Sequence, residues 1–217
     1  STGVLLAKVE SVSSGSFHNL IRKLDGSLLV MGANDDGQLG DATDTNRPNP
    51  IKSQTALVAS QSAGDKHSVF IKTDGSLWAM GLNTEGQLGD GSFTNRDFPV
   101  KSVDSNISQS ICGWNHTLLI KVDGSLWAMG ANDFGQLGIG SVINQNTPQP
   151  VEQGTSVVAV AGGGIIPCSS SLMEAFGRWA GIILDNSETI LKSMKVHLFR
   201  FLAKVSQLLR RANFILC

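Results

Sequence analysis

Apolar residues come in short bursts along most of this chain, not in helical stripes. Residues 68–72 (Ser-Val-Phe-Ile-Lys) form a β-prone run. The Asp74-Gly75 pair that follows predicts a two-residue type I′ hairpin, a turn whose positive φ angles favour Asp-Gly. Residues 77–80 (Leu-Trp-Ala-Met) are the return strand, ended by Gly81. Residues 83–89 read as a loop whose glycines supply backbone angles closed to other residues. A looser segment, 95–101, and a second apolar run, 107–111, complete up to four short strands. Val69 and Ile71 point one way and Phe70 the other, so this sheet is predicted to be covered on both faces.

The pattern is periodic. Asp25-Gly26-Ser27-Leu28 recurs at Asp74 and at Asp123, a period of 49 residues. His18, His67 and His116 keep the register, as do Asn34, Asn83 and Asn132, and Met31, Met80 and Met129. Gly37-Gln38-Leu39-Gly40 returns at Gly86 and at Gly135. A period of this length marks a repeat architecture. Four-stranded sheets stacked face to face around an axis would cover both faces of each, as in a β-propeller; a solenoid of hairpins is the competing geometry.

The combined motif, Gly-x-x-His followed by Asp-Gly-Ser-Leu-Trp-Ala-Met-Gly-x-Asn-x-x-Gly-Gln-Leu-Gly, resembles the repeat of the regulator of chromosome condensation family over roughly residues 4–164. The resemblance implies a propeller, commonly of seven blades, used as an interaction platform. It also brings two functional alternatives. The family's founder exchanges guanine nucleotide on a small GTPase and binds chromatin, and a bacterial relative inhibits secreted β-lactamases. The expected fold is an all-β array, a partial propeller of about three four-stranded blades, with a C-terminal α-helical segment. Propellers close with typically 4–8 blades, so three are expected to belong to a longer propeller or to self-associate through an open blade edge.

Repeat one departs from the pattern at Leu29, where Trp78 and Trp127 stand in the others, and repeat three at Ile139, where the others have Asp41 and Asp90. Gly162 starts a fourth repeat on schedule, but Ile165 takes its histidine slot and no hairpin motif follows. Residues 1–164 are therefore assigned to the repeats and 165–217 to a separate tail. Synonymous codons for residues 172–189, read in a shifted frame, spell the missing hairpin and Gly-Gln-Leu-Gly motif, so the tail reads as an out-of-frame fourth repeat. As encoded, Ser171 and Glu174 form a capping box. From Leu191 to Ile215 apolar residues fall at alternating steps of three and four, a heptad stripe. Helical propensity without a selected role is the favoured reading. The alternatives are a cap on the open blade face, a self-associating coiled coil and, least favoured, a membrane-surface helix.

Charge bounds the partners. Residues 1–164 carry 10 Lys and Arg against 15 Asp and Glu, whereas 165–217 carry 7 against 3. An acidic repeat region argues against binding a phosphate backbone there, so a protein partner is expected. Cys112, Cys168 and Cys217 form no CxxC pair. No cofactor is implied, and the compartment stays open.

The candidate residues divide in two. His18, His67 and His116 would diverge around an axis instead of meeting at one metal, and each is expected to tie strand to loop by a buried hydrogen bond. Asp25, Asp74 and Asp123, with Gly37, Gly86 and Gly135, are structural residues of the repeat, and Trp78 and Trp127 are inter-blade core. Asp35, Asp36, Asp41 and Asp44 crowd one loop without EF-hand spacing and fit turn chemistry. No nucleophile or paired-carboxylate signature stands out, so no catalytic residue is assigned. Trp114 replaces Ser16 and Asp65 in the register, so the repeat does not require it. With Phe93, Phe98 and Phe134, also non-repeating, it is the candidate binding set, since aromatic anchors on loops are favoured contact residues.

Overall fold

A computed structural model describes residues 8–53 and 55–151. The assigned tail, its capping box and heptad stripe, and the boundary at residue 164 lie outside the described residues.

The described chain is all-β, with twelve strands in three four-stranded antiparallel sheets, each paired in chain order. Blade 1 holds β1 (Val9–Ser14), β2 (His18–Lys23), β3 (Leu28–Gly32) and β4 (Arg47–Lys52). Blade 2 holds β5 (Val58–Ala63), β6 (His67–Lys72), β7 (Leu77–Gly81) and β8 (Arg96–Val103). Blade 3 holds β9 (Ile107–Cys112), β10 (His116–Lys121), β11 (Leu126–Gly130) and β12 (Gln145–Pro150). The sequence period and the blade are out of phase. One period read from His67 takes in β9, which pairs with β10 of the next sheet.

The two-sided cover read from Val69, Phe70 and Ile71 is present: β6 and β10 are each buried at their first five positions. One side of blade 2 faces blade 1, where Phe70 and Met80 pack with Leu20, Leu28, Val30 and Leu39. The other side presents Val69, Leu77 and Leu88 to Leu119 and Met129 of blade 3. Each fully buried Leu or Phe contributes about 1.5–3 kcal/mol, so these two seams hold the array together. In the third cluster, Leu118, Leu126, Ala128 and Leu137 stand at the positions that blades 1 and 2 offer their successors, and the described residues contribute blade 3 side chains alone. The innermost strands β1, β5 and β9 are linked through serines. Ser13 Oγ accepts from Ala63 N at 3.0 Å, and Ser62 Oγ from Cys112 N at 3.0 Å.

The hairpins differ from the type I′ expectation. Gly26 N donates to Lys23 C=O at 3.0 Å and Lys23 N to Ser27 C=O at 2.9 Å, and Gly26 has φ +75°. Asp25, Asp74 and Asp123 have no positive φ. The connection is a three-residue loop, a type I turn followed by a left-handed glycine. The aspartate explains the choice. Asp25 Oδ1 accepts from Ser27 N at 2.9 Å and from Ser27 Oγ at 2.6 Å, an Asx-turn that holds the backbone at negative φ.

Candidate protein-interaction face

Antiparallel pairing in chain order sends the connections to two ends. The short loops 15–17, 64–66 and 113–115 and the long loops 33–46, 82–95 and 131–144 emerge together. The hairpins and the connections between blades lie at the opposite end.

The short loops step across the blades near the axis. Ser16 N donates to Asp65 C=O at 3.3 Å, and Asp65 N to Trp114 C=O at 3.1 Å. Just behind them lie the histidines, and two of them, His18 and His67, make their buried hydrogen bonds to a strand of the next blade and not to a loop. His18 Nε2 meets Ser68 Oγ at 2.9 Å, and His67 Nε2 meets Thr117 Oγ1 at 3.1 Å. The two hydroxyls donate in turn to Gln38 C=O and Gln87 C=O, at 2.7 and 2.8 Å. A hydroxyl has one proton to give, so each imidazole must be the donor, protonated on Nε2. Burial lowers His18 to about 4, His67 to about 3 and His116 to about 4, so all three are neutral near pH 7. His116 is buried as well, yet neither of its nitrogens has a partner among the described residues.

Each long loop is built around one buried asparagine. Asn83 Oδ1 accepts from Leu88 N at 2.9 Å, and Asn83 Nδ2 donates to Asp90 Oδ1 at 3.1 Å. Asp90 also accepts from Ser92 and pairs with Arg96, whose Nε lies 2.7 Å from Oδ2. Burial works against the Asp90 carboxylate, but hydrogen bonds from Ser92 and Arg96 and the Arg96 charge hold its pKa below the usual range. Blade 1 repeats the set with Asn34, Asp41 and Arg47. Blade 3 keeps Asn132 but has Ile139 and Gln145 at the carboxylate and guanidinium positions, so both partners of the ion pair are replaced together. The aspartates that crowd blade 1's loop are thus partly accounted for: Asp41 by Arg47, and Asp36 by Lys66 at 3.2 Å. Among the described residues no group of three His, Cys, Asp or Glu could hold a metal ion.

The four candidate contact residues are all exposed: Trp114, Phe93 and Phe134 in loops of this end, and Phe98 on β8 two residues beyond it. They are spread over blades 2 and 3. By contrast, Trp78 and Trp127 are half-buried. Their indole N–H groups donate to Ser76 and Ser125 at 2.9 Å, and Lys72 and Lys121 cover the rings. Phe17, 76% exposed beside Ser16, is a further candidate that the sequence-based set leaves out. It breaks the repeat against Lys66 and Asn115, the same criterion that singles out Trp114. Charge divides the two ends. The loop end carries Asp35, Asp36, Asp41, Asp44, Asp65, Glu85, Asp90, Asp97 and Asp133 against Arg47, Lys66 and Arg96, a net of −6. The hairpin end carries six lysines against four aspartates, a net of +2. Cys112 is an inert buried thiol, pushed up to about 12 by burial.

The model of the Regulator of chromosome condensation (RCC1) repeat matches residues 25–71, 74–120 and 123–165, and a second model of the same repeat matches 9–38 and 58–87. The chain belongs to the RCC1 repeat family. Its fold is that of RCC1-type propellers. Human WBSCR16 superposes with a TM-score of 0.63 at 23% identity, over 73% of this chain and 43% of that one. Prp20p from Saccharomyces cerevisiae, reported with its binding properties to Gsp1p and histones, gives 0.64 at 19% identity, over 72% and 42%. Yeast RCC1 (Prp20) in its complex with Kap60 gives 0.64 at 21%, over 73% and 40%. The chain thus spans about two-fifths of the length of these structures. No curated protein matches it. The RCC1 matches begin at Asp25, Asp74 and Asp123, so each family repeat, like the 49-residue period, runs from one blade into the next.

Proposed function

We propose that this RCC1-repeat chain is a non-catalytic protein-interaction module that binds through the loop end of its blades. One observation carries the reading: exposed aromatics that the repeat does not require, Trp114 foremost, stand on one acidic end of the array. Exposed aromatics on a rigid scaffold are favoured binding anchors. The module acts within a longer array. In support, Ile21 and Met31 of blade 1 are half-buried, whereas Phe70 and Met80 in blade 2, and Leu119 and Met129 in blade 3, are fully buried at the corresponding positions.

The test is capture of binding proteins by the wild-type chain and by Trp114→Ala and Phe134→Ala variants, followed by titration of the purified partner. Loss of an anchor is expected to weaken binding at least about tenfold. A partner held equally by all three chains sinks the proposal. Guanine nucleotide exchange on a small GTPase is the second reading. Its support is likeness in fold to Prp20p, reported with its binding to Gsp1p. Accelerated release of labelled GDP from a GTPase would favour it over simple binding.

A further inference from the structure

We propose that the long loops of blades 1 and 2 are each held in place by the blade that follows, with the hydroxyls of Ser68 and Thr117 as the positioning groups. The proposal rests on the interaction-module reading for the use of these loops as contact segments, and on geometry alone for how they are held.

Loop 33–46 of blade 1 is tied to blade 2 through its main chain. Ser68 Oγ donates to Gln38 C=O at 2.7 Å, and Ala42 N donates to Asp97 C=O at 2.8 Å. Glycines close the same seam. A Cβ on Gly37 would stand 2.5 Å from Asp97 Cα, and one on Gly40 would overlap Met80 Sδ. Loop 82–95 repeats the arrangement against blade 3. Thr117 Oγ1 donates to Gln87 C=O at 2.8 Å, and Gly91 N donates to Asn146 C=O at 2.9 Å. Asn146 Nδ2 returns a bond to Gly91 C=O at 2.9 Å. Here a Cβ on Gly86 would stand 2.5 Å from Asn146 Cα, and one on Gly89 would overlap Met129 Sδ. Each loop is thus a socket filled by the outer strand of its successor, β8 in one case and β12 in the other.

The side of the loop toward the preceding blade is different. Among the described residues, loop 82–95 makes no main-chain bond to blade 1, and its hydrogen bond there is an exposed one, from Asn95 Nδ2 to Asp36 Oδ1 at 3.2 Å. The asymmetry follows from where the hydroxyl stands. Ser68 and Thr117 are the second residues of β6 and β10, and both are fully buried. Each is wedged between two groups of the preceding blade: the imidazole that donates to it and the loop carbonyl that it donates to. Removing the hydroxyl therefore strands a buried ring N–H and a buried loop carbonyl together, both in the blade before it.

The consequence reaches the contact residues. Phe93 stands on loop 82–95, so its setting depends on blade 3 although all four strands of its own blade are in place. Coupling of this kind is reciprocal, so a ligand that grips the loop also tightens the seam with blade 3.

Amide hydrogen exchange of the 1–217 chain, with no partner present, is the test. Thr117→Val and Ser68→Ala remove the hydroxyl with little change of shape. In Thr117→Val, exchange at Leu88, Gly89 and Gly91 is expected to quicken at least about tenfold. Leu39 and Ala42 in blade 1, and Leu137 in the substituted blade's own loop, keep their rates. In Ser68→Ala the pattern moves back by one blade: Leu39, Gly40 and Ala42 quicken, while Leu88 and Gly91, in the blade that carries the substitution, do not. Thr117→Ser and Ser68→Thr keep the hydroxyl and the wild-type rates. Equal quickening of all the loops, quickening confined to the substituted blade's own loop, or unchanged rates in the hydroxyl-free variants overturns the proposal. Loss of a partner on Trp114→Ala bears on the interaction-module reading alone, and the exchange pattern decides how the loops are held whether or not that reading stands.

Discussion

In the β7–β8 loop, Asp90 is held by Asn83, Ser92 and Arg96, and the next blade closes over Gly86. In the β11–β12 loop, the backbone path is the same, but Ile139 and Gln145 replace the ion pair and Gly135 lies open. The pair teaches which parts of the repeat serve the blade itself and which serve its neighbour. Asn83 and Asn132 each bond their own loop, so the asparagine is kept whether or not a neighbour stands by. The histidine is different. His67 has Thr117 of the next blade as its partner, while His116 is buried without one among the described residues.

The largest expected effect is on acid stability. Burial depresses His18, His67 and His116 to about 4, 3 and 4. An unfolded histidine titrates near 6.5, so below that pH the unfolded chain binds more protons than the native one. Stability is fully present above about pH 6.5 and falls as pH drops toward the native values. At about 1.4 kcal/mol per pH unit for each group, the three together remove on the order of 5 kcal/mol or more by pH 4.5. Urea unfolding between pH 7.5 and 4.5 measures it; a flat profile over that range would contradict the buried neutral relay. Two variants sharpen the comparison at pH 7. His67→Leu breaks the bond to Thr117 and is expected to cost about 1–2 kcal/mol. His116→Leu removes two unpaired nitrogens and changes stability by less than about 1 kcal/mol, while flattening the acid profile.

The next largest effect separates a filled socket from an open one. Gly86 and Gly135 share a left-handed φ, of +82° and +73°, so alanine strains the backbone by about 1 kcal/mol at either. At Gly86 the added methyl also stands 2.5 Å from Asn146 Cα, a backbone atom that cannot step aside without moving β12. Overpacking adds about 1–3 kcal/mol, so Gly86→Ala should cost about 3 kcal/mol and Gly135→Ala about 1. Equal costs in chemical unfolding would mean that the two loops are not differently enclosed.

Much of this was legible in the sequence. The 49-residue register locates the hairpins, the buried histidines and the glycines of the Gly-Gln-Leu-Gly loop, because each blade needs the same local chemistry. Register identifies equivalent positions, however, not neighbours. Ser68 reads as an ordinary strand residue, and only the packed array makes it the acceptor for His18, fifty residues away. The same limit hid the charge polarity, since Asp65 and Lys72 are close in sequence and belong to opposite ends of a blade. The turn type was misread because Asp-Gly suits two loops. The Ser27 and Ser76 bonds to the aspartate side chains select the longer one. Phe17 was overlooked for a different reason: it stands at an early, weaker copy of the motif, although its break from the register was visible.

The smallest expected effect tests whether the ion pair is part of the blade or an exchangeable detail. Asp90→Ile alone leaves the Arg96 guanidinium, the Ser92 hydroxyl and one Asn83 donor without their acceptor, and should cost about 2 kcal/mol. Arg96→Gln alone leaves a largely buried carboxylate short of its cation and should cost about the same. Together the two changes give blade 2 the pair that blade 3 already carries at Ile139 and Gln145. Replacing both partners leaves no orphaned charge, so the double variant should lose less than the sum of the singles by about 1 kcal/mol. Chemical unfolding of the four chains completes the cycle. Such a coupling would show that blade 3 exchanged its pair as a unit and kept the loop. Strict additivity would mean that Asn83 and Ser92 hold the loop by themselves, with the Asp90–Arg96 contact adding nothing of its own.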